Sequence, residues 1–589
     1  MGQKNKLDEK MNHNCTNRSL AGYPSIDKPW LKYYPKEALN EPLPEYTIYE
    51  AILKKNENRL DNIAIDYFGR KITYRQMFAR IDEAAQAFSA MGVKKGDTVS
   101  LCTLTTPETV YSLYALNRLG AVANFIEPRT NPERIKSHTN NTKSKLLIVI
   151  DVFLGKINEV ADGITADKII VVPLSGSMPS LKKVAFQISR GRKLPPMPTN
   201  VRFMSWSRFI EAGKGHAVES APYEKGRAAA IIYTGGTTGI PKGAVLSNEC
   251  FTAMELHNFY CNPHMYEGKH FLDIMPPFIA YGLVFGLFMP FCAGHENIII
   301  PVFEPQKFDE LILRYKPNHV VGVPTFWESL AKSEKAKGKN LGFLMCAITG
   351  GDRLLPNTEK EINDFFKEHG CQYTVLKGYG MTEMGSAATF TATDECNVTG
   401  SVGIPLFNNV IMVIDHDTGK ELSYCEHGEI CITGPSMMLG YFNNDEETQK
   451  VFHRHDDGRI WIHTGDIGYM TEDGVLFIVD RMKRMIIRPD GHNVWPSQIE
   501  SVVVQHPNIA ECAVVGMPNP ENENGRIPTA FMVPNAEAAA TDKLIDDVDR
   551  FCKERMPERD RAMAYRIIAE MPMTPVGKVD YRALEKMEN

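Results

Sequence analysis

Residues 231–248, IIYTGGTTGIPKGAVLSN, join an apolar run to a cluster of groups able to hold phosphate. Thr234, Gly235, Gly236, Thr237, Thr238 and Gly239 fill six consecutive positions, and Lys242 follows three residues later. Glycine lets a backbone approach a ligand closely and aim successive N–H groups into one concavity. Threonine adds hydroxyl donors and lysine adds a mobile positive charge. Together they suit a polyphosphate, although Gly and Thr are equally at home in a flexible surface hairpin. The stretch is not the common nucleoside-triphosphate loop, G-x-x-x-x-G-K-[ST], because Pro241 precedes Lys242 and Gly243 follows it.

Other stretches carry groups of the same kind, each with an ordinary reading beside the chemical one. In YGMTE, residues 379–383, Thr382 and Glu383 would serve as the cap and first turn of a helix. Asp466 in HTGD, residues 463–466, would serve as a turn aspartate. Lys578 in PVGKVDY, residues 575–581, would pass for a solvated surface lysine. Taken in chain order, these stretches resemble the adenylate-forming family of acyl- and aryl-CoA synthetases, luciferase and peptide-synthetase adenylation domains. Its phosphate loop reads approximately Y-T-[SG]-G-[TS]-T-G-x-P-K-G, which residues 233–243 match. YGMTE, GEICITGPSMMLGYFN (428–443), HTGD, DRMKR (480–484) and PVGKVDY follow in the family's order. The resemblance runs from residue 45 to residue 589.

That resemblance implies attack of a carboxylate on the α-phosphate of ATP, giving an acyl-adenylate and pyrophosphate. Two anions must meet, so the site needs cationic and dipolar stabilisation of the transition state. Thr234 to Gly239 and Lys242 would cradle the β- and γ-phosphates. Glu383 would help hold Mg²⁺, a hard ion that prefers carboxylate and phosphate oxygens. Thr382 would donate to the α-phosphate, and Tyr379, Gly380 and Met381 would lie on the nucleotide. Gly350, Gly351 and Asp352 match the adenine-side turn, with Asp352 departing from the usual third residue. Asp466 would accept from both ribose hydroxyls, with Arg481 nearby as a planar, always-charged fork. Lys578 would swing onto the carboxylate and α-phosphate, and Lys483 would be the pivot on which the small domain re-docks for thioester formation.

The segment MPPFIAYG, residues 275–282, aligns with the family's acyl-pocket motif, with Ile279 at the informative place, Phe278 before it and Tyr281 two later. No acidic residue lies between Ile274 and Gly294 to pair with a substrate ammonium, whose unpaired burial would be costly. With Val323, Pro324 and Met381, the segment points to a hydrophobic acid, fatty acids foremost. Coenzyme A is the expected acceptor. The loop IIRPDGHN carries one residue more than the usual I-I-S-G-G-x-N, so a free-standing ligase that loads a carrier protein stays open. A non-catalytic binder of nucleotide or acyl-adenylate is disfavoured, because it has little use for Lys578.

These groups need a large scaffold, and 589 residues with 43% hydrophobic content supply several layered cores. A hairpin is expected at IAIDYFGRKITY, a helix at YRQMFARIDEAAQAFSAMG ending by Gly92, and then VSLCTL, AVANFI, LLIVIDVF and KIIVVPL as strands alternating with helices. The expectation is an α/β protein: a polar extension over 1–44, a large N-terminal domain of helix-sandwiched sheets over 45–480, and a small mobile α+β domain over 481–589. Residues 274–294 hold no charge over a membrane-spanning length, but three prolines and three glycines favour a buried core segment. In residues 174–199, Leu181, Val184, Ala185 and Ile188 share one helical face amid Lys182, Lys183, Arg190, Arg192 and Lys193. This is either a helix resting on a membrane through 181–194 or a surface helix packed on its own domain. A net charge of −6 gives no general pull toward nucleic acid. Twelve scattered cysteines without a C-x-x-C pair, and a polar start without a signal-peptide core, favour the cytoplasm. Lys6 breaks the myristoylation pattern. The sequence leaves the oligomeric state open.

Overall fold

Apolar runs such as LLIVI and KIIVV, with too few polar positions to face water on either side, become central parallel strands in the computed structural model. The structure describes residues 21–189, 191–234, 241–266, 268–519, 525–535, 542–573 and 579–587. The chain divides into two compact units. One comprises Trp30–Val410 and Thr433–Ile462, the other Met1–Pro29, Ile411–Ile432 and His463–Asn589.

The larger unit holds two helix-flanked sheets. The first runs Gly440–Tyr441, Gly243–Ser247, Ala228–Tyr233, Val122–Phe125, Thr98–Cys102, Leu146–Ile150, Lys168–Val172, Phe203–Ser205. Its first two neighbour pairings are antiparallel and the rest parallel. The second runs Ile404–Pro405, Thr389–Phe390, Leu376–Tyr379, Cys346–Thr349, His319–Gly322, His270–Asp273, Glu296–Ile299, Ile63–Tyr67, Arg70–Thr73. Its six central strands are parallel. The expected hairpin forms at Ile63–Tyr67 and Arg70–Thr73. The helix Tyr74–Ala90 starts in a capping box between Thr73 and Gln76 and buries Met77, Phe78, Ile81, Ala84, Ala85 and Phe88.

The uncharged stretch 274–294 is core. After a turn it forms a π-helix, Gly282–Phe288, and a short α-helix, Met289–Ala293, buried throughout. Pro290 cannot donate to the carbonyl of Gly286, which accepts instead from Asn297 Nδ2 at 2.8 Å. No helix among the described residues is long and apolar enough to cross a membrane. The polar N-terminal stretch contributes more than a tail: Trp30 is fully buried, and Tyr34 donates to the Pro405 carbonyl at 2.8 Å. The helix Ser180–Ser189 forms, yet it does not pack its apolar face on its own unit. Leu181 is 87%, Val184 53% and Ile188 58% exposed.

In the smaller unit, Leu476–Arg481 pairs antiparallel with Ile460–Met470, on whose other side lies Gly428–Thr433. A three-stranded sheet follows, with Ile509–Pro518 antiparallel to Arg526–Pro534 and Ala564–Ile567 parallel to it. Leu544, Val548 and Cys552 line one face of the helix Asp542–Lys553 and pack with Ile499 and Val503 from Pro496–Val503. Among the described cysteines ten are free thiols.

Candidate functional site

Ligands of open parallel sheets sit beyond the carboxyl ends of the strands. Nearly every candidate of the larger unit stands at such an end. Thr234 follows Ala228–Tyr233, Ile279 and Tyr281 come after His270–Asp273, and Val323 and Pro324 follow His319–Gly322. Gly350, Gly351 and Asp352 follow Cys346–Thr349, while Tyr379 ends Leu376–Tyr379 and leads into Gly380, Met381, Thr382 and Glu383. The last four strands are neighbours in one parallel array, so their ends lie side by side.

The side expected to hold phosphate is built on the hairpin of Ala228–Tyr233 with Gly243–Ser247, closed by a hydrogen bond from Thr234 N to the Lys242 carbonyl at 2.9 Å. Residues 438–442 are stitched onto it: Leu439 N donates to Val245 O at 2.8 Å and Phe442 N to Gly243 O at 2.7 Å. That seam puts the Tyr441 ring 4.9 Å from Lys242 Nζ. The Tyr441 hydroxyl donates to Glu383 Oε1 at 2.6 Å, a buried contact. Burial first, then the Glu383 charge, raises the Tyr441 hydroxyl far above its ordinary range, so it remains a donor. Lys242 also pairs with Glu447, from the helix Asp445–Gln449. The hydrogen bond from Lys242, and then that from Lys450, hold the Glu447 carboxyl down to about 2. Glycine is required at 380, where a Cβ would lie 1.8 Å from the Ser386 carbonyl oxygen. The helix-start reading of YGMTE does not hold. The turn Thr382–Met384 is a single 3-10 turn, the residue before it is Met381, and no side chain caps it.

The side expected to hold the acyl group is assembled by packing. Phe278 is buried beneath the Arg129 guanidinium, 5.6 Å from its ring centre, and Ile279 is half-buried. Tyr281 donates to the Gly322 carbonyl at 3.2 Å. A Cβ at Gly350 would lie 3.8 Å from the Tyr281 hydroxyl, and one at Gly351 3.9 Å from Val323. Pro324 is buried at the start of the helix Pro324–Ala331. Asp352 is exposed and accepts from Arg353 N at 2.8 Å. Asp273, one residue before the charge-free stretch, is 1% exposed and packs on Gly286. Burial pushes its carboxyl up to about 8, against weaker opposing help from Asn297 and the Met275 N–H, so it is neutral near pH 7.

In the smaller unit Asp466 is 2% exposed and lies opposite Arg481 in the strand pairing, with Arg481 Nε 2.9 Å from Oδ1. It stands within a strand, so the turn-aspartate reading does not hold. Glu429 positions it: its Oε2 is 3.1 Å from His463 Nδ1, and its Oε1 accepts from Gly465 N at 3.0 Å. Burial works against ionising Glu429, but the His463 contact, the Gly465 N–H and His416 leave its carboxyl below the usual range. Cys431 completes a trio whose ligand-type atoms lie within 4.8 Å of one another. Both Glu429 oxygens are engaged, and burial raises the Cys431 thiol well above its ordinary value. Within the trio it is Glu429 that braces the strand segment His463–Asp466. Lys483 is exposed in the turn Met482–Arg484. Gly235, Gly236, Thr237, Thr238, Gly239 and Lys578 lie outside the described residues.

Four contributors carried no sequence-level assignment: Tyr441, Glu429, Glu447 and Asp273. The first two stand inside GEICITGPSMMLGYFN, where the motif itself was the available signal. Glu447 reads as an ordinary first-turn acid, and Asp273 as the polar end of a strand.

The AMP-binding enzyme family matches residues 53–442, and the AMP-binding enzyme C-terminal domain matches residues 498–578. A long-chain-fatty-acid–CoA ligase of Bacillus subtilis is 28% identical over 571 residues, covering 95% of this chain and 99% of that protein. A probable 4-coumarate–CoA ligase of Dictyostelium discoideum is 30% identical over 523 residues, covering 87% of this chain and 91% of that one. Among solved structures, ATP-bound MatB from Rhodopseudomonas palustris superposes with a TM-score of 0.78 at 25% identity, covering 92% of this chain and 98% of that one.

Proposed function

The chain belongs to the AMP-binding enzyme family, and from that premise we propose that it activates a hydrophobic carboxylic acid, foremost a fatty acid, and passes the acyl group to coenzyme A. In the first step a carboxylate oxygen bonds to the α-phosphorus of ATP, and the bond to the bridging oxygen breaks. Acyl-adenylate forms and pyrophosphate leaves. In the second, the CoA sulfur bonds to the acyl carbon, AMP departs and the thiol proton is released. The observation that carries this reading is the meeting of Lys242, Tyr441 and Glu383, which come from three separate stretches of the chain.

Lys242 meets the β- and γ-phosphates together with Thr234, Gly235, Gly236, Thr237, Thr238 and Gly239. Its salt bridge to Glu447 exchanges for phosphate oxygens as ATP enters. Glu383 offers a buried carboxylate fixed by Tyr441, a donor set that suits a hard divalent cation. Mg²⁺ held there would neutralise phosphate charge. Thr382 donates to the α-phosphate, and Tyr379, Gly380, Met381, Gly350, Gly351 and Asp352 line the nucleotide. Asp466, braced by Glu429, accepts from the ribose hydroxyls beside Arg481. Phe278, Ile279, Tyr281, Val323 and Pro324 surround the acyl group. On the division 45–480 and 481–589, Lys578 arrives with the small domain to bridge carboxylate and α-phosphate, and Lys483 is its pivot. We assign the protein to the cytoplasm on its scattered free thiols.

Mass spectrometry of reactions with ATP, Mg²⁺ and a panel of carboxylic acids, with and without CoA, tests the reading. Acyl-CoA from a hydrophobic subset is the expected product. Acyl-AMP that accumulates while CoA is ignored would replace CoA with a carrier protein as acceptor, the alternative favoured by the lengthened loop at 486–493. In Lys578→Ala, pyrophosphate formation should fall about 10²-fold or more, while thiolysis of supplied acyl-AMP suffers far less. Unchanged pyrophosphate formation in that variant would remove Lys578 from adenylation.

A further inference from the structure

From residue 168 to residue 210 the chain has eight lysines and arginines and no aspartate or glutamate, although its net charge is −6. Within this stretch the helix Ser180–Ser189 is mounted with its apolar side outward. Lys182 Nζ donates to the Phe68 carbonyl at 2.7 Å, and Lys183 and Phe186 are half-buried. On the opposite side Leu181, Val184, Ala185 and Ile188 recur at helical spacing and all face solvent. Val201, further along, is 82% exposed. An aliphatic stripe held outward by a fixed helix has a solvation cost that its own unit does not relieve.

We propose that this face docks on an anionic lipid bilayer, with the helix lying in the plane of the interface. The stripe would enter the headgroup–acyl boundary while basic side chains of the same stretch, the exposed Lys193 among them, meet lipid phosphates. Charge complementarity selects this occupant. Protein interfaces gather aromatic side chains and exclude charge from their centres. The stretch 168–210 offers exposed aliphatic residues, charges of one sign and no carboxylate of its own to pair with a basic partner. A helix of ten residues gives weak, reversible binding rather than permanent anchoring.

The test is sedimentation of the full chain with phosphatidylcholine vesicles made with and without phosphatidylglycerol. The protein should pellet with the phosphatidylglycerol vesicles and be released by high salt. Replacing Leu181, Val184 and Ile188 together by serine should weaken partitioning at least about tenfold. Lys193→Glu should weaken it roughly fivefold or more. Thermal unfolding and pyrophosphate formation with a water-soluble acid should stay at the parent level, since the substituted side chains are solvent-facing or lie outside the proposed site. Failure to bind phosphatidylglycerol vesicles would overturn the proposal. So would equal binding by the triple-serine variant, or a dimer in solution that this variant dissociates, which would make the stripe a contact between copies of the chain.

Discussion

On the phosphate side of the candidate site, Lys242, Tyr441, Glu383 and Glu447 hold one another by charge and hydrogen bonds. On the acyl side, Phe278, Tyr281 and Val323 are fixed by packing, one backbone hydrogen bond and close approach to Gly350 and Gly351. The first arrangement is satisfied without ligand, yet its charges are of the kind phosphate oxygens and a cation compete for. The second has no ion pair to exchange: its one charge is the Arg129 guanidinium over Phe278, and the nearby carboxyl of Asp273, packed on Gly286, is held neutral. On the proposed function a polyphosphate would therefore enter by replacing existing partners, and a hydrophobic acid by displacing water. Substitutions on the two sides should fail differently: in chemistry on the one, in selectivity on the other.

The sharpest division should come from Glu383→Gln. Losing the carboxylate charge should reduce pyrophosphate formation about 10²- to 10³-fold and flatten its dependence on Mg²⁺, with the order of preference among acids unchanged. A shift in acid preference would dissolve the two-sided description. Lys242→Ala follows, with a loss of about 10²-fold read as the kcat/KM for ATP at saturating acid. Tyr281→Ala should leave ATP kinetics near the parent while changing the kcat/KM ratio between bulky and slender acids by about tenfold. Steady-state comparison of an aliphatic and an aromatic acid series measures that ratio.

The two sides also differ in how far the sequence reveals them. Lys242, Thr382, Glu383 and Asp466 stand in spaced motifs, so their candidacy is readable before any fold is known. The partnership of Tyr441 with Glu383 spans 58 positions, and only the pairing of Gly440–Tyr441 with the Gly243–Ser247 edge creates it. Glu429 is hidden in the same way, because its task is set by the strand segment at 463–466 rather than by its own neighbours. The strands LLIVI and KIIVV are legible as buried runs, but their order across the sheet is a tertiary matter. The π-helix depends on the missing N–H of Pro290 and on Asn297 reaching Gly286, a coincidence no local pattern encodes. Two amphipathic helices make the limit plain. Tyr74–Ala90 turns its apolar face to the core, and Ser180–Ser189 turns the same periodic face outward. Period identifies the face, and the anchoring side chains decide its direction.

Asp273→Asn offers the finest test of the contrast, because it should change stability more than catalysis. Burial raises the folded carboxyl to about 8 from its ordinary value of 3.8. Between those values the unfolded chain has released the proton and the folded chain has kept it. Stability therefore falls as pH rises through that window, and it levels off once both states are ionised. Asparagine preserves the shape and removes the titration. The variant should gain on the parent from pH 5 to pH 8 by an amount on the order of a few kcal/mol, seen as diverging urea midpoints. Acid preference should hold, because the parent side chain is neutral at neutral pH as well. Parallel curves for parent and variant would mean that Asp273 is ionised throughout. The acyl side would then rest on a buried charge like the phosphate side, and an acid carrying an ammonium group would return as a substrate class to be tested.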